Sequence, residues 1–276
     1  MTTRSGFESG YAPSDGAKIY FESAGAGPTV VFIHAGVSDR RMWDPQFDFF
    51  AKKFRVVRYD LRGFGKSEMP DLPYSNRADL GNVLLHLEIE KAVLIGCSMG
   101  GGAAIDFTLE HPERVTALLP VGAGVSGWNG WSDEAIRQWT ELLRLAKEGE
   151  VERVREMEAA VWFDGPARDP SRIDPAYRQR AQEIHTDNFS LTRFEHPEEM
   201  LKPPAIGRLG EIRCPTLVLV GDSDTPDLIK LATRLANEIP GARLATIANA
   251  AHLPSLEHPE EFNAIVNDFL LSNPEI

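Results

Sequence analysis

The chain has 276 residues, 42% of them hydrophobic and 25% charged, with a net charge of −12 from 29 basic and 41 acidic residues. That balance describes a globular chain and not a disordered one. It excludes nucleic acid and anionic membrane surfaces as natural partners, because a net acidic protein has no excess cations to displace phosphate counterions. Two cysteines, Cys97 and Cys214, are too few for a disulfide framework, and Met1 to Gly10 has no apolar signal core. No run of apolar residues is long enough to cross a bilayer, so the expectation is a cytoplasmic protein without a membrane partner.

In chain order, Lys18–Ser23 alternates as a half-exposed strand, and the apolar run Thr29–Ile33 suits a buried one. Helix patterns over 44–52, 76–87 and 99–110 alternate with strand patterns over 54–59, 92–95 and 115–121, and Pro112 closes the third helix. A strand over 215–220, a helix over 226–239, a strand over 243–247 and a helix over 259–271 complete the pattern. Alternating βα units predict a mostly parallel twisted sheet flanked by helices. The stretch between is different. Asp133–Glu148 carries Ile136, Trp139, Leu142, Leu143 and Ala146 at helical spacing, 151–161 does likewise, and 178–189 is a third candidate. This predicts a helical cap over 124–207, inserted after the sixth strand of a core formed by 1–123 and 208–276.

The pentapeptide Gly96-Cys97-Ser98-Met99-Gly100 lies between the strand ending at Ile95 and the helix that follows. A reversal this sharp strains its apex residue and leaves no room for side chains two positions either side. The serine then projects at a helix N-terminus, whose partial positive charge favours an anion. Serine needs a base to take its proton, and the base needs an orienting acid. The later strands supply both: 217–220 runs into Gly221-Asp222-Ser223-Asp224, and 243–247 runs into Asn249-Ala250-Ala251-His252. Parallel strands put their C-terminal ends on one edge, so Ser98, an aspartate and His252 can converge. Asp222 and Asp227 are alternatives for the acid. His86, His111, His185, His196 and His258 adjoin no suitable strand.

These marks, with His34-Ala35-Gly36, Asp60-Leu61-Arg62-Gly63-Phe64-Gly65-Lys66-Ser67 and the run from His252 to Pro259, resemble the α/β-hydrolase fold, in its esterase, lactonase and C–C hydrolase group. The resemblance spans nearly the whole chain and implies an eight-stranded α/β-hydrolase sheet. It implies Ser98 as nucleophile, Asp224 as acid and His252 as base, with His34 a structural member of the oxyanion loop. It further implies oxyanion donors at Met99 and on the loop after Ile33, where Ala35 replaces the usual glycine, so that Gly36 is the expected donor and Val37 the reserve. The stretch from Asp60 to Ser67 is then a structural turn, since it has neither a dinucleotide nor a phosphate-loop pattern. No metal or cofactor motif is present. Trp128 and Trp162, among the aromatics of the cap, are candidate walls of an apolar substrate pocket.

Serine at the elbow disfavours epoxide and haloalkane hydrolysis, which in this fold use aspartate there. The function expected is hydrolysis of a small, fairly hydrophobic ester or lactone. Alternatives are C–C hydrolysis of a dienoic ring-cleavage product, against which Cys97 stands where many such relatives have asparagine, perhydrolysis, and a non-catalytic receptor or carrier.

Overall fold

The computed structural model describes residues 6–190, 196 and 198–273. In chain order the elements are β1 (Glu8–Ser14), β2 (Ala17–Ala24), β3 (Thr29–Ile33), α1 (Asp44–Phe50), β4 (Arg55–Tyr59), α2 (Asn76–His86), β5 (Ala92–Cys97), α3 (Met99–Glu110) and β6 (Val115–Val121). Then come α4 (Asp133–Lys147), α5 (Val151–Glu158), α6 (Pro175–Asn188), β7 (Leu217–Gly221), α7 (Pro226–Glu238), β8 (Arg243–Ile247), α8 (Pro254–Glu257) and α9 (Pro259–Leu271). The strands form one eight-stranded sheet in the order β1-β2-β4-β3-β5-β6-β7-β8. β1 and β2 run antiparallel to their neighbours, and all later pairings are parallel. This is the α/β-hydrolase fold.

Because strand side chains alternate, each central strand feeds two cores. Ile33, Val57, Leu94, Leu118 and Val218 pack under α2, α3 and α7 on one face. Phe32, Val56, Ile95, Leu119 and Leu219 pack with Phe47, Phe50, Phe262 and Val266 of α1 and α9 on the other. Both faces being covered explains the continuous apolar runs. β1 is the strand that the sequence pattern misses. Gly10 and Pro13 mask its propensity, and the full register with β2, from Glu8↔Ser23 to Ser14↔Ala17, makes it a strand.

Between β6 and β7 the described residues are helical or irregular. The pattern over 151–161 splits: α5 stops at Glu158 and a π-helical turn runs over Ala159–Asp164. α6 starts at Pro175, three residues before the expected position, because Asp174 caps it and proline suits a first turn. On α4 the buried residues are Leu142 and Leu145, whereas Ile136, Trp139 and Leu143 are exposed. The apolar residues of this helix lie on one side, and only the edge carrying Leu142 and Leu145 is covered, so spacing by itself did not choose which part of that side is buried.

Candidate active site

β5 ends in a turn whose apex, Ser98, has φ 53° and ψ −113°. A β-carbon on Gly96 would lie 2.3 Å from the Gly100 carbonyl oxygen, and one on Gly100 would lie 2.5 Å from that of Ile33. The first glycine therefore closes the turn on itself, and the second lets α3 start against the end of β3. Met99 opens α3, so its N–H has no acceptor within the helix. Ser98 is half-buried and Met99 exposed.

The Ser98 N–H donates to the Val121 carbonyl at 2.9 Å, and the next residue, Gly122, lies against the other two groups. A β-carbon there would stand 3.0 Å from Asp224 Oδ2 and 3.2 Å from His252 Nδ1. The end of β6 thus brings all three expected residues to one edge of the sheet. His252 Nδ1 donates to Asp224 Oδ2 at 2.9 Å, and both side chains are about 1% exposed. A carboxylate accepts only, so Nδ1 carries the proton and Nε2 keeps the basic lone pair. The Thr225 N–H holds the other oxygen, Asp224 Oδ1, at 2.7 Å. The two alternative acids are engaged elsewhere. Asp222 is exposed and accepts from Ser223 Oγ, while Asp227 Oδ2 takes the N–H and hydroxyl of Ser132.

His34 is buried, and both its ring nitrogens are engaged by backbone. Nδ1 donates to the Ala35 carbonyl and Nε2 accepts from the Leu61 N–H, each at 2.8 Å. Burial lowers its pKa, so the ring is a neutral brace between two loops. Beyond it, Gly36 faces Met99: a β-carbon on the glycine would stand 2.8 Å from Met99 Cε. Gly36 is therefore packed against the Met99 side chain, while Val37 is buried and the Ala35 N–H is already directed at Met42 Sδ. The turn from Asp60 to Ser67 folds round the Asp60 carboxylate, which accepts the Arg40 and Lys66 N–H groups.

The two tryptophans part company. The Trp162 ring lies 4.6 Å from that of His252, centre to centre, and the Trp162 carbonyl accepts the His252 N–H. Trp128 instead neighbours Trp131, Lys230 and Arg234, on the α7 side. The aromatic spacing in the sequence did not reveal which helix the Trp128 ring would meet. Sequence reasoning passed over Arg168 and Glu257, which form an ion pair beside the His252 loop. Among the described residues no group of His, Cys, Asp or Glu is placed to hold a metal ion, and no helix is long and apolar enough to cross a membrane.

A family model described as "Alpha/beta hydrolase family" matches residues 30–265. The chain belongs to that family. It is 30% identical over 269 residues to a 2-hydroxy-6-oxononadienedioate/2-hydroxy-6-oxononatrienedioate hydrolase of Cupriavidus pinatubonensis, covering 92% of this chain and 90% of the relative. Among solved structures it is similar to the enol-lactonase of Burkholderia xenovorans, with a TM-score of 0.78, 25% identity and 95% and 100% of the two chains covered. It is also similar to a thermophilic esterase of Thermogutta terrifontis, with a TM-score of 0.75, 25% identity and 96% and 98% covered. The protein is thus a hydrolase of this family, in a neighbourhood that holds esterases, lactonases and dienoate hydrolases.

Proposed function

We propose that this chain is a serine hydrolase of small neutral carboxylic esters, lactones included, working through an acyl-enzyme on Ser98. The observation that carries the reading is the His252–Asp224 hydrogen bond beside the strand end from which Ser98 projects. Ser98 Oγ attacks the carbonyl carbon while His252 Nε2 takes its proton, and Asp224 holds the imidazolium in place. The oxyanion is met by the Gly36 and Met99 N–H groups, with the α3 dipole behind them. Collapse expels the alkoxide, which takes the proton from His252. In a lactone the alkoxide stays tethered to the acyl group. Water, deprotonated by the same nitrogen, attacks the acyl carbon and releases the acid and Ser98.

Residues 124–207 are assigned as a cap over this centre, and Trp162 as an apolar wall. Free Cys97 and Cys214 fit a reducing, cytoplasmic setting. Neutral substrates are favoured because the arginines flanking the oxyanion and His252 loops are already neutralised. Arg40 pairs with Glu22 and Asp60, Arg41 with Asp39 and Asp187, Arg62 with Asp79, and Arg168 with Glu257.

A second reading, hydrolysis of a C–C bond in a dienoate, is favoured by the similarity to the dienedioate hydrolase. Both are tested by assaying p-nitrophenyl esters from acetate to octanoate, a lactone series and a dienoate, with wild type beside Ser98→Ala. Ester or lactone turnover abolished by the alanine is the expected result. Turnover of the dienoate alone selects the second reading, and full activity of Ser98→Ala on every substrate overturns both.

A further inference from the structure

The loop that carries His252 has little regular structure of its own. It enters through Asn249, at φ 56°, in the left-handed region that asparagine tolerates. Contacts from outside the loop converge on one largely buried ion pair. Glu257, on α8, accepts the Ala251 N–H on Oε2 at 2.8 Å, one residue before His252. Its Oε1 receives Arg168 Nη1 at 2.5 Å. The same nitrogen donates to the Asn249 carbonyl, so the guanidinium grips the loop at both ends of the segment leading to the histidine. On its other side Arg168 Nε donates to the Asp164 carbonyl at 2.6 Å and Nη2 to that of Phe163 at 3.0 Å. Those carbonyls end the π-helical turn that carries Trp162, whose ring and carbonyl both meet His252. The side chains are 14% and 4% exposed.

We infer that Arg168 and Glu257 are positioning residues that set the place of His252 by clasping its loop to the Trp162 turn of the helical segment. A buried ion pair recovers little net stability after desolvation, so its value here lies in geometry. Each guanidinium nitrogen is used, and the planar fork fixes two separate backbones relative to each other. The clasp also ties the segment between β6 and β7 to the base. This rests on the reading of His252 as the general base.

The test compares Arg168→Ala, Arg168→Lys, Glu257→Ala and Glu257→Gln by kcat and KM on the best ester. It also follows the far-downfield proton resonance of the His252 Nδ1–H shared with Asp224, which needs no turnover. Misplacing the base by a fraction of an ångström lowers kcat in both alanine variants by about 10²-fold, with KM nearly unchanged. The Nδ1–H resonance is broadened or lost in both. Glu257→Gln keeps one acceptor oxygen, for Ala251 or for Arg168 but not for both, so its loss of kcat is expected to lie between those of wild type and Glu257→Ala. The double alanine variant loses no more than the worse single one, because both break one unit. If the alanine variants do not fold, Arg168→Lys carries the test: one ammonium cannot serve three carbonyls and a carboxylate, so the same loss is expected. Wild-type kcat and an intact resonance in a folded Arg168 variant overturn the proposal, as do wild-type kcat and an intact resonance in a folded Glu257→Ala. Full turnover by Ser98→Ala instead defeats the reading of the base, while the resonance still reports whether the clasp positions the ring.

Discussion

The sheet and the helical segment between β6 and β7 are built on different terms. In the sheet, the buried side chains of the central strands serve two cores, and the His252–Asp224 pair at its edge is buried and hydrogen-bonded. In the segment, α4 and α5 share a small cluster, Leu142, Leu145 and Val154, with Ala146, Met157 and Phe189 beside it. The rest of α4 relies on exposed ion pairs such as Arg144 with Glu141 and Glu148, which contribute little. The rest of the segment packs into the sheet's own core through Ala159, Phe163, Ile173, Tyr177 and Ala181, and polar contacts add to that. Asn188 bridges Asp39 and the Gly65 N–H, Ser132 binds Asp227, and Arg168 binds Glu257. The edge proposed to hold the reacting groups is thus paired with a proposed cover whose later part shares the sheet's core and whose α4–α5 end has only a small cluster of its own.

The comparison predicts that damage at that edge is chemical and damage in the cover is local. The largest effect belongs to Asp224→Asn. An amide in place of the carboxylate can donate to Nδ1 and so select the wrong tautomer, which should lower kcat by about 10⁴-fold with the fold intact. Steady-state kinetics beside circular dichroism checks it, and a loss below tenfold would mean that another acid serves His252.

Core truncation comes next. Phe32 is fully buried between Trp43 and Phe50, so Phe32→Ala should cost about 3–5 kcal/mol of global stability. Leu145→Ala should cost about 2 kcal/mol, the low end for such a truncation, because its small cluster can relax. Native-state hydrogen exchange separates them: Leu145→Ala should speed exchange in α4 and α5 and leave β3 and β5 protected. Equal loss of protection everywhere would show that the cover and the sheet unfold as one.

The smallest effect is at His34. Burial lowers its folded pKa below the ordinary value of 6.5, so the unfolded chain binds more protons between those two values. Stability is therefore lost as pH falls through 6.5 toward the folded value. His34→Asn should flatten that part of the pH dependence of Tm, whatever it does to Tm itself, and an unchanged slope would assign it to other groups.

Much of this was legible in the chain. The runs 29–33, 92–95 and 217–220 read as buried strands because both their faces are covered, and Gly96-Cys97-Ser98-Met99-Gly100 read as a strained elbow because tight turns restrict residue types locally. That Ser98, an aspartate and His252 could converge also followed from strand ends sharing one edge. Local patterning carries such features, since period and turn chemistry act over a few residues. Other decisions belonged to tertiary structure. β1 exists because β2 pairs with it, and the choice of Asp224 over Asp222 and Asp227 depended on which carboxylate faces the imidazole. Trp162 met His252, and Trp128 met α7, for the same kind of reason. Arg168 and Glu257 stand 89 positions apart, and no spacing rule joins them. Such contacts are fixed only when separate elements pack, because the free energy of a buried pair depends on what surrounds it and not on its neighbours in the chain.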